Sequence, residues 1–251
     1  MVVDDNTEIV RYLTDSLNKD YRVLQAYDGA EGLNILASEN IDLVITDVMM
    51  PDIDGIQLCR AIKRNIRTSH IPVIMLSAKG DVADQLDGMK VGADDYLPKP
   101  FSMQLLMAKI RNQFRTRDMA IRNYSNSSAI EPEKVAGNPL DEKFLKDAME
   151  IMEKHLDDSQ FTTDEFARSM CMSRSSLHMK MKALTGESTN EFIRRIRMNK
   201  ALDLLKSGNY NVSEVSSMVG YSTPSYFATT FKKFYGSQPS DFINKGNTHS
   251  L

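Results

Sequence analysis

The sequence predicts two folds in series: a doubly wound α/β half with a parallel five-stranded sheet, then an all-α half of two similar units. Three observations carry this. In the first half, five short β-rich runs alternate with helix-length segments. Right-handed crossovers then place helices on both faces of a parallel sheet. From Asp141 onward only helical periodicity is found. The second half also repeats itself: Gly186-Glu-Ser-Thr-Asn-Glu-Phe192-Ile193 matches Gly236-Ser-Gln-Pro-Ser-Asp-Phe242-Ile243 at an offset of 50 residues. A chain of 251 residues suits two ordinary domains.

The β-rich runs are Val2–Val3, Val23–Ala26, Leu43–Thr46, Val73–Leu76 and Tyr96–Leu97. The fifth helix has the clearest pattern, with Met103, Leu106, Met107, Ile110 and Phe114 at helical spacing behind Ser102, a good N-cap. These elements make residues 1–117 the first domain. The polar stretch Asn123–Ser128, followed by Pro132, Gly137 and Pro139, makes 118–140 a linker. In 141–251, one helix shows a face of Phe144, Ala148, Ile151, Met152 and His155. Capping boxes start three more helices: Thr162 with Glu165, Ser188 with Glu191, and Asn211 with Glu214. Thr223-Pro224 starts another, and Ser207-Gly208 closes the helix begun near Thr189. The repeat extends upstream, where Leu177, Met181, Lys182 and Leu184 align with Phe227, Phe231, Lys232 and Phe234.

Composition narrows the function classes. Apolar residues make up 41% and charged residues 26%, a globular balance. No apolar run approaches the ~18 residues of a membrane span, and Asp4 and Asp5 stand where a secretory leader would turn apolar. Cys59 and Cys171 lie too far apart for a disulfide framework or a cysteine-rich zinc site, which fits a reducing, cytoplasmic location. The net charge of −3 hides an asymmetry. Residues 165–251 hold 12 bases against 6 acids, and residues 118–164 hold 5 against 11. A basic final third points to a polyanion partner.

Asp4 and Asp5 follow the first strand and Asp47 the third. In a doubly wound sheet these ends are neighbours, so three carboxylates converge, and their repulsion calls for a cation. Mg²⁺ is the default for such a set of oxygen ligands. Lys99, after the fifth strand, adds a fixed positive charge, and Ser77, after the fourth, offers a hydroxyl. Together these groups suit phosphoryl transfer.

The set Asp4-Asp5, Asp47, Pro51-Asp52-Ile53-Asp54-Gly55, Ser77-Ala78 and Lys99-Pro100-Phe101 resembles response-regulator receiver domains over about residues 1–117. The resemblance implies a flavodoxin-like sheet in the order 2-1-3-4-5, with functional groups at the carboxyl ends of the strands. It implies that Asp47 accepts a phosphoryl group from a histidine kinase. Asp5, Asp47 and the Met49 backbone carbonyl would hold Mg²⁺, with Asp4 helping through water. Lys99 would contact the phosphoryl group, and the Lys99–Pro100 bond would be cis. Ser77, standing for the usual threonine, and Tyr96 would form a coupled switch. Met49 and Lys79 occupy positions that tune dephosphorylation. Asp52 and Asp54 read as turn and capping residues.

In the second half, short helix, tight turn and second helix form the helix-turn-helix pattern. Thr163–Met170 supports Ser173–Leu184, and Val212–Met218 supports Thr223–Phe234; the second member of each pair is the recognition helix. The helix Thr189–Lys206 joins the units. Arg194, Arg195, Arg197 and Lys200 fall on its polar face. About residues 141–244 resemble the AraC-type DNA-binding domain. The carrying residues are Ser173-Arg-Ser-Ser-Leu177, Leu184-Thr-Gly186, Phe192-Ile-Arg-Arg-Ile-Arg197, Val219-Gly-Tyr-Ser-Thr-Pro-Ser-Tyr-Phe227, Phe231-Lys-Lys-Phe-Tyr-Gly236 and Pro239. Ser216 departs from the family's alanine. By resemblance, Ser175, His178 and Met179 face bases from the first recognition helix, and Thr223, Ser225 and Thr229 from the second. Arg174, Lys180, Lys182, Lys232 and Lys233 are phosphate candidates.

The expected function is that of a phosphorylation-controlled transcription regulator, an activator, in a two-component pathway. Its partners would be double-stranded DNA, a histidine kinase and RNA polymerase. It would dimerise when phosphorylated through the segments near Asp81–Val91 and Ser102–Phe114, and would not be an enzyme beyond weak self-phosphorylation and dephosphorylation. The alternative is a Mg²⁺-dependent phosphatase-like enzyme with a helical protein-binding module. Only Met1, Val2 and Val3 precede Asp4, whereas strands commonly run ~5–6 residues. The expectation is therefore that the native protein continues upstream; the alternative is a free-standing regulator with a shortened first strand. A receiver followed by an AraC-type domain resembles the C-terminal part of Bacteroidetes-type hybrid two-component sensors, in which a membrane sensor kinase precedes both.

Overall fold

The computed structural model describes residues 1–78, 90–126 and 132–243. The chain forms two compact units. One takes Met1–Arg122 with Gly137–Asp141, and the other takes Asn123–Ala136 with Glu142–Leu251.

The first unit is a five-stranded parallel sheet of β1 (Val2–Val3), β2 (Gln25–Ala26), β3 (Val44–Asp47), β4 (Val73–Ala78) and β5 (Asp95–Lys99), in the order β2-β1-β3-β4-β5. Its described helices are α1 (Thr7–Leu17), α2 (Gly29–Ser38), α3 (Gly55–Arg64) and α4 (Met103–Asn126). Strand residues alternate between two buried layers. Val2, Ile45, Ile74, Leu76 and Leu97 pack with Val10, Leu13 and Leu17 of α1 and Leu106 and Ile110 of α4. Val3, Val44, Val73 and Met75 pack with Leu58, Cys59 and Ile62 of α3, and with partly buried Leu33 and Leu36 of α2. A parallel sheet covered on both faces needs such apolar strands, and each fully buried Val, Leu or Ile stabilises the fold by about 1.5–3 kcal/mol.

Register positions the strand ends. Val3 pairs with Thr46, so Asp4 stands level with Asp47. Asp47 pairs with Leu76, and Lys99 pairs with Ala78 two residues further on. Asn6 caps α1, accepting from the amides of Glu8 and Ile9. Ser102 accepts from the Leu105 amide at the start of α4.

The second unit holds α5 (Pro132–Val135), α6 (Pro139–Lys154, from Glu142 onward), α7 (Thr163–Ser169), α8 (Arg174–Thr185), α9 (Thr189–Ser207), α10 (Val212–Met218) and α11 (Pro224–Tyr235), then a 3-10 turn at Pro239–Phe242. All three expected capping boxes form. Thr223 stands at the N-cap of α11 but makes no side-chain capping bond; Pro224 starts the helix through its fixed φ. The internal repeat becomes a repeated C-cap: Gly186 donates to Lys182 O at 2.9 Å, and Gly236 to Lys232 O at 2.8 Å. Met198, Ala201, Leu205, Val215, Val219, Phe227 and Phe231 form the core around the second helix pair.

The segment expected as a linker is largely structured. Residues 118–126 continue α4, whose last turn carries the buried Tyr124. Pro132–Val135 is helical, and α6 opens at Pro139. Asp141 packs with the first unit: its buried carboxylate accepts from Ser69 Oγ and Asn138 Nδ2, both at 2.7 Å, and Asn138 also donates to Ser69 O at 3.1 Å.

Candidate functional site

The C-terminal edge of the sheet gathers the acidic residues. Asp4, Asp5 and Asp47 each offer a carboxylate oxygen, all within 4.8 Å of one another. Asp4 is buried and Asp5 exposed. The Asp4 carboxylate accepts from the Asn6 amide at 2.9 Å, so the residue that caps α1 also anchors the pocket. Asn6 was not among the expected site residues, although Asn-Thr-Glu after two aspartates is itself an N-cap pattern.

Lys99 reaches back from the end of β5. Its Nζ lies 2.9 Å from Asp4 Oδ2 and 2.9 Å from Asp47 Oδ1. Burial disfavours the Lys99 charge, but bonds and attraction from the two carboxylates outweigh it and hold the ammonium above its ordinary pKa. Asp47 is pushed above the usual carboxylate range, chiefly by burial and also by the Asp4 charge, against the opposing pull of Lys99. The Lys99–Pro100 bond is cis, as the resemblance implies.

The loop after β3 is shaped by backbone requirements. Asp52 has a positive φ of 62° in the turn, and Asp54 caps α3 in a capping box with Gln57. Gly55 has no alternative: a Cβ there would stand 1.9 Å from the Asp47 carbonyl oxygen. Met49, two residues after Asp47, is exposed. Ser77 is fully buried, and its hydroxyl has no hydrogen-bond partner among the described residues. Leaving such a group unpaired costs about 1–3 kcal/mol. Tyr96 is half-buried on β5. Lys79 and residues 81–89 of the expected dimer face lie outside the described residues.

The donor set fits a divalent cation. Three carboxylates of one small cluster with a single ammonium between them leave a negative surplus, and hard oxygen donors suit Mg²⁺.

The helices expected to be the recognition helices are α8 and α11, and α7 and α10 are their expected supports. Arg174, Ser175, His178, Met179 and Lys182 are exposed on α8; Thr223 is exposed at the cap of α11, and Ser225, Thr229, Lys232 and Lys233 along it. Arg174 also lies 3.5 Å from Asp164. Lys180 is a correction. It is 0% exposed, with its Nζ 5.2 Å from the centre of the Phe144 ring. Its helical position decides this: Lys180 follows Leu177 by three residues and precedes Leu184 by four, so it shares their buried face. A buried ammonium there does not reach a DNA phosphate.

The bases of α9 divide similarly. Arg194 and Lys200 are exposed. Arg197 is buried and donates to Asp158 O at 2.6 Å and Gly220 O at 3.2 Å. Arg195 is held by Glu187 at 2.5 Å. The turns of the two helical repeats match: Cys171 in the first repeat and Gly220 in the second both take positive φ, 54° and 73°. Among the described residues no helix is long and apolar enough to cross a membrane.

Comparison with known proteins agrees with this geometry. Residues 1–111 match the response regulator receiver domain, and residues 166–245 match a helix-turn-helix domain. Over 246 residues the chain is 35% identical to "Histidine kinase P4" of Formosa agariphila, covering 98% of this chain and 18% of that protein. It is 42% identical over 132 residues to "Probable transcriptional regulator ycf27" of Guillardia theta, covering 52% of this chain and 51% of that one. It is 37% identical over 150 residues to "Regulatory protein VanRc" of Enterococcus gallinarum, covering 59% and 58%. The chain thus spans less than a fifth of the first relative and little more than half of the other two. A helix-turn-helix domain in the second half leaves no support for the phosphatase-like alternative. This chain joins a response regulator receiver domain at residues 1–111 to an AraC-type helix-turn-helix domain at residues 166–245.

Proposed function

We propose that the chain is a phosphorylation-controlled, sequence-specific DNA-binding transcription regulator of a two-component pathway, with Asp47 as its phosphoacceptor. One observation carries this reading: Asp47 sits in a three-carboxylate cluster with Lys99 at 2.9 Å, in a chain that also presents two exposed recognition helices.

An Asp47 carboxylate oxygen attacks the phosphorus of a phosphohistidine on a histidine kinase. The new O–P bond forms as the P–N bond breaks, and the electron pair leaves with the imidazole, which takes up a proton. Lys99 holds the transferred group's charge at the strand ends. The Ser77 hydroxyl, buried and unpaired, donates to a phosphoryl oxygen, and Tyr96 turns inward in concert. Asp5, Asp47 and the Met49 carbonyl would hold Mg²⁺, with Asp4 acting through water. The ion, when bound, neutralises charge on the phosphoryl oxygens. The only chemistry of the chain is its own slow phosphorylation and dephosphorylation.

Ser175, His178 and Met179 read bases from α8, and Thr223, Ser225 and Thr229 from α11. Arg174, Lys182, Lys232 and Lys233 contact phosphates. Phosphorylated chains pair as homodimers and activate transcription through RNA polymerase in the cytoplasm. The likeness to part of a protein named a histidine kinase favours a donor joined in one longer polypeptide.

The test is intact-mass analysis after incubation with acetyl phosphate and Mg²⁺. One phosphoryl group is expected on the wild-type chain and none on Asp47→Asn. Stoichiometric labelling of Asp47→Asn would overturn the reading.

A further inference from the structure

Helix α4 carries a buried residue far beyond the core of the first unit. Between Arg111 and Ser125, Tyr124 is the one buried side chain, 3% exposed. Half-buried Phe114, Arg117 and Ile121 precede it at helical spacing on the same face. The boundary between the units falls inside this helix, between Arg122 and Asn123, so Tyr124 belongs to the second unit.

Its surroundings there are specific. The Arg195 guanidinium lies 5.1 Å from the centre of the Tyr124 ring and 6.0 Å from that of Phe234. The Tyr124 hydroxyl donates to Glu187 Oε2 at 3.3 Å, and Arg195 Nε donates to Glu187 Oε1 at 2.6 Å. Glu187 follows the first recognition helix, Arg195 lies on α9 between the two units of the repeat, and Phe234 lies in the last turn of the second recognition helix. Tyr124 thus touches Glu187 and Arg195, and Arg195 in turn reaches Phe234. Tyr124 lies outside both matched stretches, 1–111 and 166–245, so neither family accounts for it.

The other end of the same helix begins four residues after Lys99, the cation bound to Asp47. A helix of 24 residues is about 36 Å long.

We propose that Tyr124 is a latch that couples the phosphorylation state of Asp47 to the DNA-binding unit, by seating the last turn of α4 on Glu187 and on Arg195, which in turn reaches Phe234. The inference rests on the reading that phosphorylation controls DNA binding. With Tyr124 seated, a shift of α4 reaches the recognition helices. With the ring removed, the receiver and the recognition helices act independently. Tyr124 is a positioning residue and touches neither the phosphoryl group nor DNA.

The test uses the full chain and a DNA fragment that the wild type selects from genomic DNA of the source organism. The readout is the ratio of Kd without and with beryllofluoride plus Mg²⁺. The wild-type ratio is expected to be about tenfold or more, and that of Tyr124→Ala within about twofold of one. Tyr124→Phe keeps the ring on Arg195 and is expected to retain about half of the wild-type ratio or more. Glu187→Gln, a milder change that weakens the hold on Arg195, is expected to lower the ratio to about threefold. If Tyr124→Ala folds and keeps the wild-type ratio, the latch is overturned and the functional reading stands. If Tyr124→Ala does not fold, an unchanged ratio in Glu187→Gln overturns the latch. A wild-type ratio near one overturns both.

Discussion

The ammonium of Lys99 stands 2.9 Å from Asp47 Oδ1, across the C-terminal edge of the sheet from the strand that carries it. The same nitrogen is 2.9 Å from buried Asp4. It engages both inner carboxylates and leaves Asp5, the exposed member of the cluster, directed outward.

Asp5→Asn should therefore fold like the wild type and lose its response to Mg²⁺. An ion that binds only the folded state stabilises it by mass action, about 2.7 kcal/mol at a hundred times its Kd. Melting curves with and without Mg²⁺ check this. The wild type should gain stability with Mg²⁺ and Asp5→Asn should gain little. An equal gain in both would remove Asp5 from the metal set.

The two lysines of α8 should separate cleanly. Lys180→Ala removes a buried side chain over Phe144 and should cost about 1–3 kcal/mol of stability. Lys182→Gln, on the exposed face, should leave stability unchanged within about 0.5 kcal/mol. It should weaken binding to all DNA sequences alike and reduce the salt slope by about one. Denaturation curves and salt titrations of DNA binding distinguish the two outcomes.

The paired turns give a third expectation. At Gly220 a Cβ would stand 2.6 Å from Leu156 O and 2.9 Å from the Arg197 guanidinium, at a φ of +73°. Gly220→Ala should cost about 2 kcal/mol or more. Cys171 holds the matching turn at a φ of 54°. Relief of its left-handed strain, set against the greater freedom of glycine in the unfolded chain, should make Cys171→Gly neutral to stabilising by about 0.5 kcal/mol. Chemical denaturation of the two variants measures both signs.

The fold was legible where periodicity and end signals agreed. Alternating strands, capping boxes at Thr162, Ser188 and Asn211, and the offset of 50 each mark one element. The acidic pocket was legible because strand ends in a doubly wound sheet are neighbours by topology, so Asp4, Asp5, Asp47 and Lys99 needed no distance measurement to be grouped. Three features were not legible. Lys180 was grouped by its charge, although its spacing from Leu177 and Leu184 places it inside. Asn123–Ser128 reads as loop from its polar composition, while one buried tyrosine keeps the first part of it helical. Asp141, beside an apolar helix face, reads as part of the second half, whereas its long-range bond to Ser69 ties it to the first. Such bonds join residues far apart in sequence, and no local pattern encodes them.

His178 is exposed on α8 and should read a base acceptor. His178→Ala should relax preference at one or two base pairs and cost about 1–3 kcal/mol at the preferred site. Binding-site selection with randomised DNA checks it. An unchanged preference would mean that α8 enters the groove by another face.

DNA binding by the full chain before and after treatment with a small phosphodonor and Mg²⁺, in the wild type and in Asp47→Asn, tests the central claim most directly. The account predicts that the wild type selects discrete genomic fragments whose affinity rises about tenfold or more on phosphorylation, and that Asp47→Asn shows no rise. Equal affinity before and after in the wild type, or an equal rise in Asp47→Asn, would contradict it.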